Sequence, residues 1–442
     1  MAVRVGMVSL GCAKNLVNGE QMLHLLREAG YEITADLGET EVLIVNTCAF
    51  IDSAKQEAID TILEFAELKK EGRLKKLLVT GCLSQRYRKE LLKELPEVDG
   101  ILGTGSYDEI VPAVAAALRG ETPRCFGDIS APVSEAERIV TTGPGWAYLK
   151  IAEGCDNRCS YCVIPSIRGR YRSRPMENLL REAEGLAKLG VKELIVVAQD
   201  ITRYGTDLYG KPRLAELVRA LAKIEGVHWI RLHYLYPDLI DDELIDTVAS
   251  EPKVVKYLDI PIQHISDGIL QKMNRRGTGA EIEALLAKLR QRIPGLVLRT
   301  SLITGLPGEG EAEFEELCAF LKRAKLERAG VFAYSPEEGT PAFRMDRPDA
   351  ETAAHRAELA VDIQSEIMDE FNATRLGTVQ EVLAEGFDRF ADCWYGRSSA
   401  DSPDVDGKVF FTGASVKPGE FVRVRITDTL EGDLVGKVEE EA

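Results

Sequence analysis

No apolar run in this 442-residue chain approaches the length needed to cross a bilayer. No secretory leader opens it either: Met1-Ala2-Val3-Arg4-Val5-Gly6-Met7-Val8 runs directly into a strand-like segment. Basic residues are the minority, 55 Lys and Arg against 72 Asp and Glu, for a formal charge of −17. Phosphate neutralisation usually requires a basic face, so this balance speaks against nucleic acid and for a basic protein partner. No internal repeat or low-complexity segment occurs, apart from the tail Glu439-Glu440-Glu441, which reads as solvated. These absences point to a cytoplasmic protein. A reducing compartment also suits its nine cysteines.

What is present starts with Gly154-Cys155-Asp156-Asn157-Arg158-Cys159-Ser160-Tyr161-Cys162, just after the apolar run from Trp146 to Ala152. Three thiolates so close in sequence can bind three irons of a [4Fe–4S] cluster, which usually takes four. The fourth iron would stay open for a small molecule. A disulfide pair and a zinc site are the alternatives. A closed structural zinc site needs four ligands, and no fourth Cys or His lies near.

Length suggests about three domains. Residues 1–135 alternate apolar runs (Val3 to Leu10, Val42 to Val45, Leu77 to Thr80, Gly100 to Leu102) with helical stretches (Gln21 to Ala29, Ser53 to Lys70, Gln85 to Leu95, Tyr107 to Arg119). That rhythm predicts an α/β domain built on an open parallel sheet. The first three runs end in Cys12, Cys48 and Cys82. Ligands collect beyond the carboxyl ends of such strands, so these three cysteines are expected to converge. The alternative is three buried structural thiols. Residues 136–145 form a linker rich in turn formers. Residues 146–377 carry strand candidates Trp146 to Ala152, Glu193 to Ala198, Trp229 to Leu232, Tyr257 to Ile260, Leu296 to Ile303 and Gly330 to Tyr334. Six βα units predict a partial barrel, closed by a helix from about Asp349 to Arg375. Residues 378–442 alternate polar and apolar positions between turns and predict a small antiparallel β-barrel. It holds 14 acidic residues against 7 basic ones.

The three domains in this order, with both cysteine triads, resemble the radical S-adenosylmethionine methylthiotransferases over essentially the whole chain. The resemblance implies that Cys155, Cys159 and Cys162 hold a [4Fe–4S] cluster whose open iron chelates S-adenosylmethionine. It implies that Cys12, Cys48 and Cys82 hold a second [4Fe–4S] cluster, on which sulfur is methylated. It further implies a C-terminal TRAM barrel that recognises substrate. The 5′-deoxyadenosyl radical of such enzymes attacks an unactivated C–H bond, beyond the reach of side-chain acid–base chemistry.

Three stretches are similar to the branch acting on the β-carbon of an aspartate in small-subunit ribosomal protein S twelve. They are Ser9-Leu10-Gly11-Cys12-Ala13-Lys14-Asn15-Leu16-Val17, Tyr334-Ser335-Pro336-Glu337-Glu338-Gly339-Thr340 and the segment Gly396 to Gly407. Asn18-Gly19-Glu20 departs from that family's usual Asp-Ser-Glu. A transfer-RNA adenosine methylthiotransferase is the alternative, and a non-catalytic electron carrier a third reading. An electron donor such as flavodoxin or ferredoxin is implied. An acidic TRAM barrel would attract a basic ribosomal protein, with Asp401, Asp404 and Asp406 expected to govern the encounter.

Weaker signals complete the reading. By resemblance, Tyr161 packs near the cofactor adenine, Gln199 and Asp200 meet the cofactor amino group, and Gly305 shapes the adenosine pocket. The basic run Ile167 to Pro175 has two open readings, a ligand for cofactor, substrate or phosphate, or a solvated or paired face. Glu337 and Glu338 read either as negative charge at the barrel's strand ends or as a solvated acidic turn. His264 is expected to be buried and hydrogen-bonded, and Cys125, Cys318 and Cys393 to be inert.

Overall fold

The computed structural model describes residues 2–413 and 415–439; Glu440 and Glu441 of the acidic tail lie outside the described residues. Strands β1 (Arg4–Ser9), β2 (Glu32–Ile33), β3 (Val42–Thr47), β4 (Lys76–Gly81), β5 (Gly100–Leu102) and β6 (Arg124–Cys125) form one parallel sheet in the order β2-β1-β3-β4-β5-β6. Helices cover both faces: Ala58, Ile62 and Phe65 pack on one, Met22, Leu26, Ile110 and Val114 on the other. Chain direction switches between β1 and β3, which opens a crevice beyond their carboxyl ends.

The first helix differs from expectation. It spans Ala13–Glu28 rather than starting at Gln21, because its opening turns bury polar residues, Lys14, Asn15, Asn18 and Glu20, that carry no apolar period. The stretch expected as one helix from Gln85 to Leu95 is two short ones, Cys82–Arg86 and Leu91–Glu94.

The linker is strapped down. Gln21 donates to the carbonyls of Ser134 and Ala136, and Arg138 pairs with Glu20 at 2.5 Å and Glu182 at 2.8 Å. Strand β7 (Trp146–Lys150) then opens the central domain, followed by a small antiparallel pair, β8 (Ala152–Glu153) and β9 (Arg172–Ser173). With β10 (Glu193–Val197), β11 (Trp229–Leu232), β12 (Val254–Asp259), β13 (Val297–Thr304) and β14 (Arg328–Ala333), β7 builds an open six-stranded parallel sheet in sequential order. Alternation along its strands decides what lies where. Leu149, Leu194, Val196, Ile230 and Leu298 pack under the helices, while Tyr148, Ile195, Trp229 and Tyr257 fill the concave side. That concave side also buries Glu193 and Arg231. The helix Ala350–Ala373 packs along β14.

Strands β15 (Val379–Asp388), β16 (Cys393–Ser398), β17 (Val409–Thr412), β18 (Phe421–Leu430) and β19 (Asp433–Val438) close a barrel in the order β15-β16-β17-β19-β18. Its core is Val382, Val409, Phe411, Val424, Ile426 and Leu434. It is not purely antiparallel as expected, since β17 and β19 pair in parallel. The segment after β16 enters the base of the central sheet. Arg397 reaches Glu193 at 2.7 Å, Asp401 reaches Arg328 at 2.7 Å, and the Tyr257 hydroxyl donates to Asp406 at 2.6 Å. This corrects the reading of Asp401 and Asp406 as a docking surface: both carboxylates are buried, and Asp404 alone of the three stays exposed.

Candidate functional site

The first three cysteines come together at the crevice of the N-terminal sheet. Cys12 follows β1 and precedes the helix Ala13–Glu28, Cys48 follows β3, and Cys82 opens the helix after β4. Two glycines permit the approach. A Cβ on Gly11 would stand 2.6 Å from the Cys48 Cβ, and one on Gly81 would stand 2.5 Å from the Thr47 carbonyl; both glycines have positive φ. Burial raises the Cys12 thiol, yet Lys14 and Arg168 outweigh it and hold Cys12 below the ordinary thiol range. Burial pushes Cys48 up to about 12, and the neighbouring Cys12 and Cys82 add to this. The three thiols therefore feel one another's charge.

The second triad lies on the loop after β7 and β8, at the carboxyl end of the central strands. Burial pushes Cys155 up to about 11, and Cys162 is raised by burial and by Cys159 and Cys155. The loop is held at several points. Asn157 donates to Asp200 (2.8 Å) and accepts from Arg203 (3.0 Å); Ser160 N–H donates to the Met273 carbonyl (2.9 Å). Arg275 Nη1 lies 3.8 Å from the Cys159 sulfur.

The two triads are linked through one side chain. Arg168, six residues past Cys162, donates to the Cys82 sulfur at 3.2 Å and to Asn15 Oδ1 at 2.9 Å, and lies 3.4 Å from Glu153. Lys150 bonds Glu153 at 3.0 Å and also donates to Asn18. A latch closes the far side: Glu337, after β14, is buried and binds Lys55 at 3.0 Å and Arg86 at 2.5 Å. This corrects both readings of Glu337 from sequence, since its charge is neutralised by the N-terminal domain. For the basic run the paired reading fits: Arg168 is buried on Glu153 and Cys82, and Arg174 on Glu135 and Glu182, while Arg170 stays exposed.

Among the described residues, no three His, Cys, Asp or Glu side chains are arranged around a single metal ion. The donor set instead fits a polynuclear centre: three soft thiols per site, at strand ends, with Lys14 and Arg168 or Arg275 as counter-charge. Tyr161 packs with Ile269, Met273, Leu306 and Tyr334 beside the second triad. Gln199 donates to Glu153 at 2.7 Å, and its buried Oε1 has no partner. Asp200 is fully engaged by Thr202, Asn157 and Arg203. Gly305, next to Leu306 of the Tyr161 cluster, lies against the helix Ala350–Ala373, where a Cβ would stand 2.2 Å from that of Ala353. His264 is buried, accepts from Ser266 N–H at 3.0 Å and lies 3.3 Å from Glu309.

Sequence reasoning missed several strained residues. Arg158, Tyr234, Gln263 and Asn274 all have positive φ without being glycine; Arg158 lies in the cysteine loop, Asn274 donates to its carbonyl (2.9 Å), and Tyr234 and Gln263 follow the carboxyl ends of β11 and β12. Such strain clusters at functional sites. No periodicity signals it.

Fold and site together define a radical S-adenosylmethionine protein, flanked by a second cysteine-bearing domain and a TRAM barrel. Models of the Radical SAM superfamily, the TRAM domain and the uncharacterized protein family UPF0004 match residues 149–321, 376–438 and 4–103. The ribosomal protein uS12 methylthiotransferase RimO of Pelotomaculum thermopropionicum is 52% identical over 446 residues, covering 99% of each chain. Those of Acetivibrio thermocellus and Geobacter sulfurreducens are each 49% identical, covering 99% and 98% of each chain. The chain belongs to this uS12 methylthiotransferase family. Among solved structures, the radical S-adenosylmethionine methyltransferase TsrM from Kitasatospora setae shares the fold, with TM-score 0.59 and 15% identity over 78% of this chain and 74% of that one.

Proposed function

We propose that this protein methylthiolates the β-carbon of an aspartate in ribosomal protein uS12. The observation that carries the reading is that Arg168, six residues past Cys162, reaches the Cys82 sulfur, so the segment that follows one cysteine triad contacts the other. Cys155, Cys159 and Cys162 would hold one [4Fe–4S] cluster, and Cys12, Cys48 and Cys82 the other. When bound, the clusters and S-adenosylmethionine supply electron transfer, C–H cleavage and the methylthio group.

The chain's own residues do the rest. Asp200 fixes the cysteine loop through Asn157, and the free Oε1 of Gln199 offers an acceptor to the cofactor's amino group. Tyr161 adds a flat apolar wall for the adenine, and Gly305 backs the pocket by letting Ala353 approach. We take the chain as three working units, 1–135, 146–377 and 378–442, joined by the strap at 136–145. They would act in the cytoplasm, with an electron donor such as flavodoxin or ferredoxin. The transfer-RNA reading is the weaker, since full-length relatives near 50% identity carry the uS12 name.

Anaerobically reconstituted protein, given reductant, S-adenosylmethionine and either uS12 or transfer RNA, tests this. Mass spectrometry should show a methylthio group on the uS12 aspartate, together with 5′-deoxyadenosine. Modified transfer RNA beside unmodified uS12 would overturn the reading.

A further inference from the structure

The central sheet is open, so its last strand, β14, pairs only with β13 and has a free edge. Backbone groups of a parallel strand point alternately to its two sides. Tyr334 N–H donates to the Thr304 carbonyl (2.9 Å), and Thr304 stands opposite Ala333, which puts Gly330, Phe332 and Tyr334 on the β13 side. The N–H and C=O groups of Ala329, Val331 and Ala333 therefore point away from the sheet. Among the described residues, none of those groups has a hydrogen-bond partner. An uncovered edge is a template for another chain, and soluble proteins blunt theirs with charge or proline. After Arg328 this one carries neither, Phe332 on it is 49% exposed, and Ala333 is exposed too.

The edge runs between two features. At its amino end, Ala329 and Gly330 line a cavity of about 280 Å³ with Met368 and with Glu431 and Asp433 of the barrel. Arg299 and Arg328 of that cavity are matched to Asp259 and Asp401. Glu431 and Asp433 form no ion pair with a cation of the described residues, so this end is left acidic. At the carboxyl end, Tyr334 belongs to the apolar cluster against which Tyr161 packs, and Tyr161 stands between Cys159 and Cys162.

We propose that an extended segment of uS12 adds to the free edge of β14 as a further strand, which leads it from the acidic barrel to the cysteine loop; this rests on the uS12 reading above. Strand addition draws its affinity from main-chain hydrogen bonds and requires free donors and acceptors in a row. The charge of Glu431 and Asp433 favours a basic chain there. It disfavours a second copy of this protein, whose own net charge is −17.

Hydrogen exchange and one proline test this. When uS12 is added to cluster-loaded wild-type enzyme, the amides of Ala329, Val331 and Ala333 should slow by about tenfold or more. Val331→Pro removes one outward donor and no bond to β13, a change that edge strands accept. It should weaken uS12 binding by about tenfold relative to Val331→Ala, which keeps the donor. Iron content and thermal melting verify that both variants are loaded and folded. Unchanged exchange over 329–333 with uS12 bound, or equal binding by the two variants, would overturn the proposal. Should Val331→Pro fail to fold, the exchange measurement decides alone. Protection that grows with enzyme concentration in the absence of uS12 would give the edge to a second copy and overturn it as well. Failure of the uS12 reading looks different: native uS12 then stays unmodified, whereas modified uS12 beside an unprotected edge removes the strand addition alone.

Discussion

At the scale of single residues, Arg168 carries the most. Its guanidinium is buried and meets Cys82, Asn15 and Glu153, so one side chain from the central domain supplies charge and a hydrogen bond to the other domain's triad. Arg168→Met would leave the triad without that donor and Glu153 with Lys150 as its remaining cation. Removing one partner of a buried ion pair costs about 3–5 kcal/mol. Denaturant unfolding should show a loss of that order, and the variant should retain less than the full iron complement after reconstitution. A stability within about 0.5 kcal/mol of wild type would show that the pairing is idle. The cysteines themselves were legible, because their spacing is a chemical constraint. Arg168 and Lys14 were visible only as charges near a cysteine. Their partners, Cys82 for the arginine and the Tyr234 ring for the lysine, are far off in sequence, and no local pattern encodes such pairings.

At the scale of elements, the strand ends were read well and the loops behind them were not. Continuous apolar sequence marked β7, β10 and β11 closely, since a strand buried on both faces carries few polar positions. It missed β2 and β6, two residues each, and the first two turns of the helix Ala13–Glu28, which bury polar groups. The loop after β14 read as charged and turned out to be a latch. Glu337→Gln keeps its shape and removes the charge that Lys55 and Arg86 share. Hydrogen exchange should then rise in the segments after Cys48 and Cys82, while the closed C-terminal barrel stays protected. Unchanged exchange at 48–56 and 82–90 would show that the latch bears no strain. Stability should fall by about 3 kcal/mol, because two cations lose a buried anion.

At the scale of the whole molecule, a net charge of −17 was legible and its placement was not. Acids that composition assigned to a partner are spent inside. Glu193 joins Arg231 and Arg397, and Asp401 joins Arg328 and Arg375. Burial alone would raise the Asp401 carboxyl, but Arg375 and Arg328 hold it at about 2, below its ordinary 3.8. A depressed carboxylate stabilises the fold above its unfolded pKa, and that contribution fades as pH falls from about 4 toward 2. Asp401→Asn should therefore lower stability by about 2–4 kcal/mol at neutral pH and flatten the acid limb of the stability profile. An unaltered acid limb would assign the acid sensitivity to other carboxylates. Added salt should do little to this pair, since buried charges are poorly screened.

The segment that enters the base of the central sheet also sets an order on biosynthesis. A chain leaves the ribosome N-terminus first, so all six central strands emerge before Arg397, Asp401 and Asp406 do. Until then Arg328 lacks its acid, Tyr257 lacks its acceptor, and the base of the sheet stands open to water. The cysteines of both triads, all within the first 162 residues, are synthesised long before that opening is stoppered. Translation thus keeps the radical domain unsealed until the C-terminal barrel is being made, and a chain cut short near residue 377 would carry both triads yet never close.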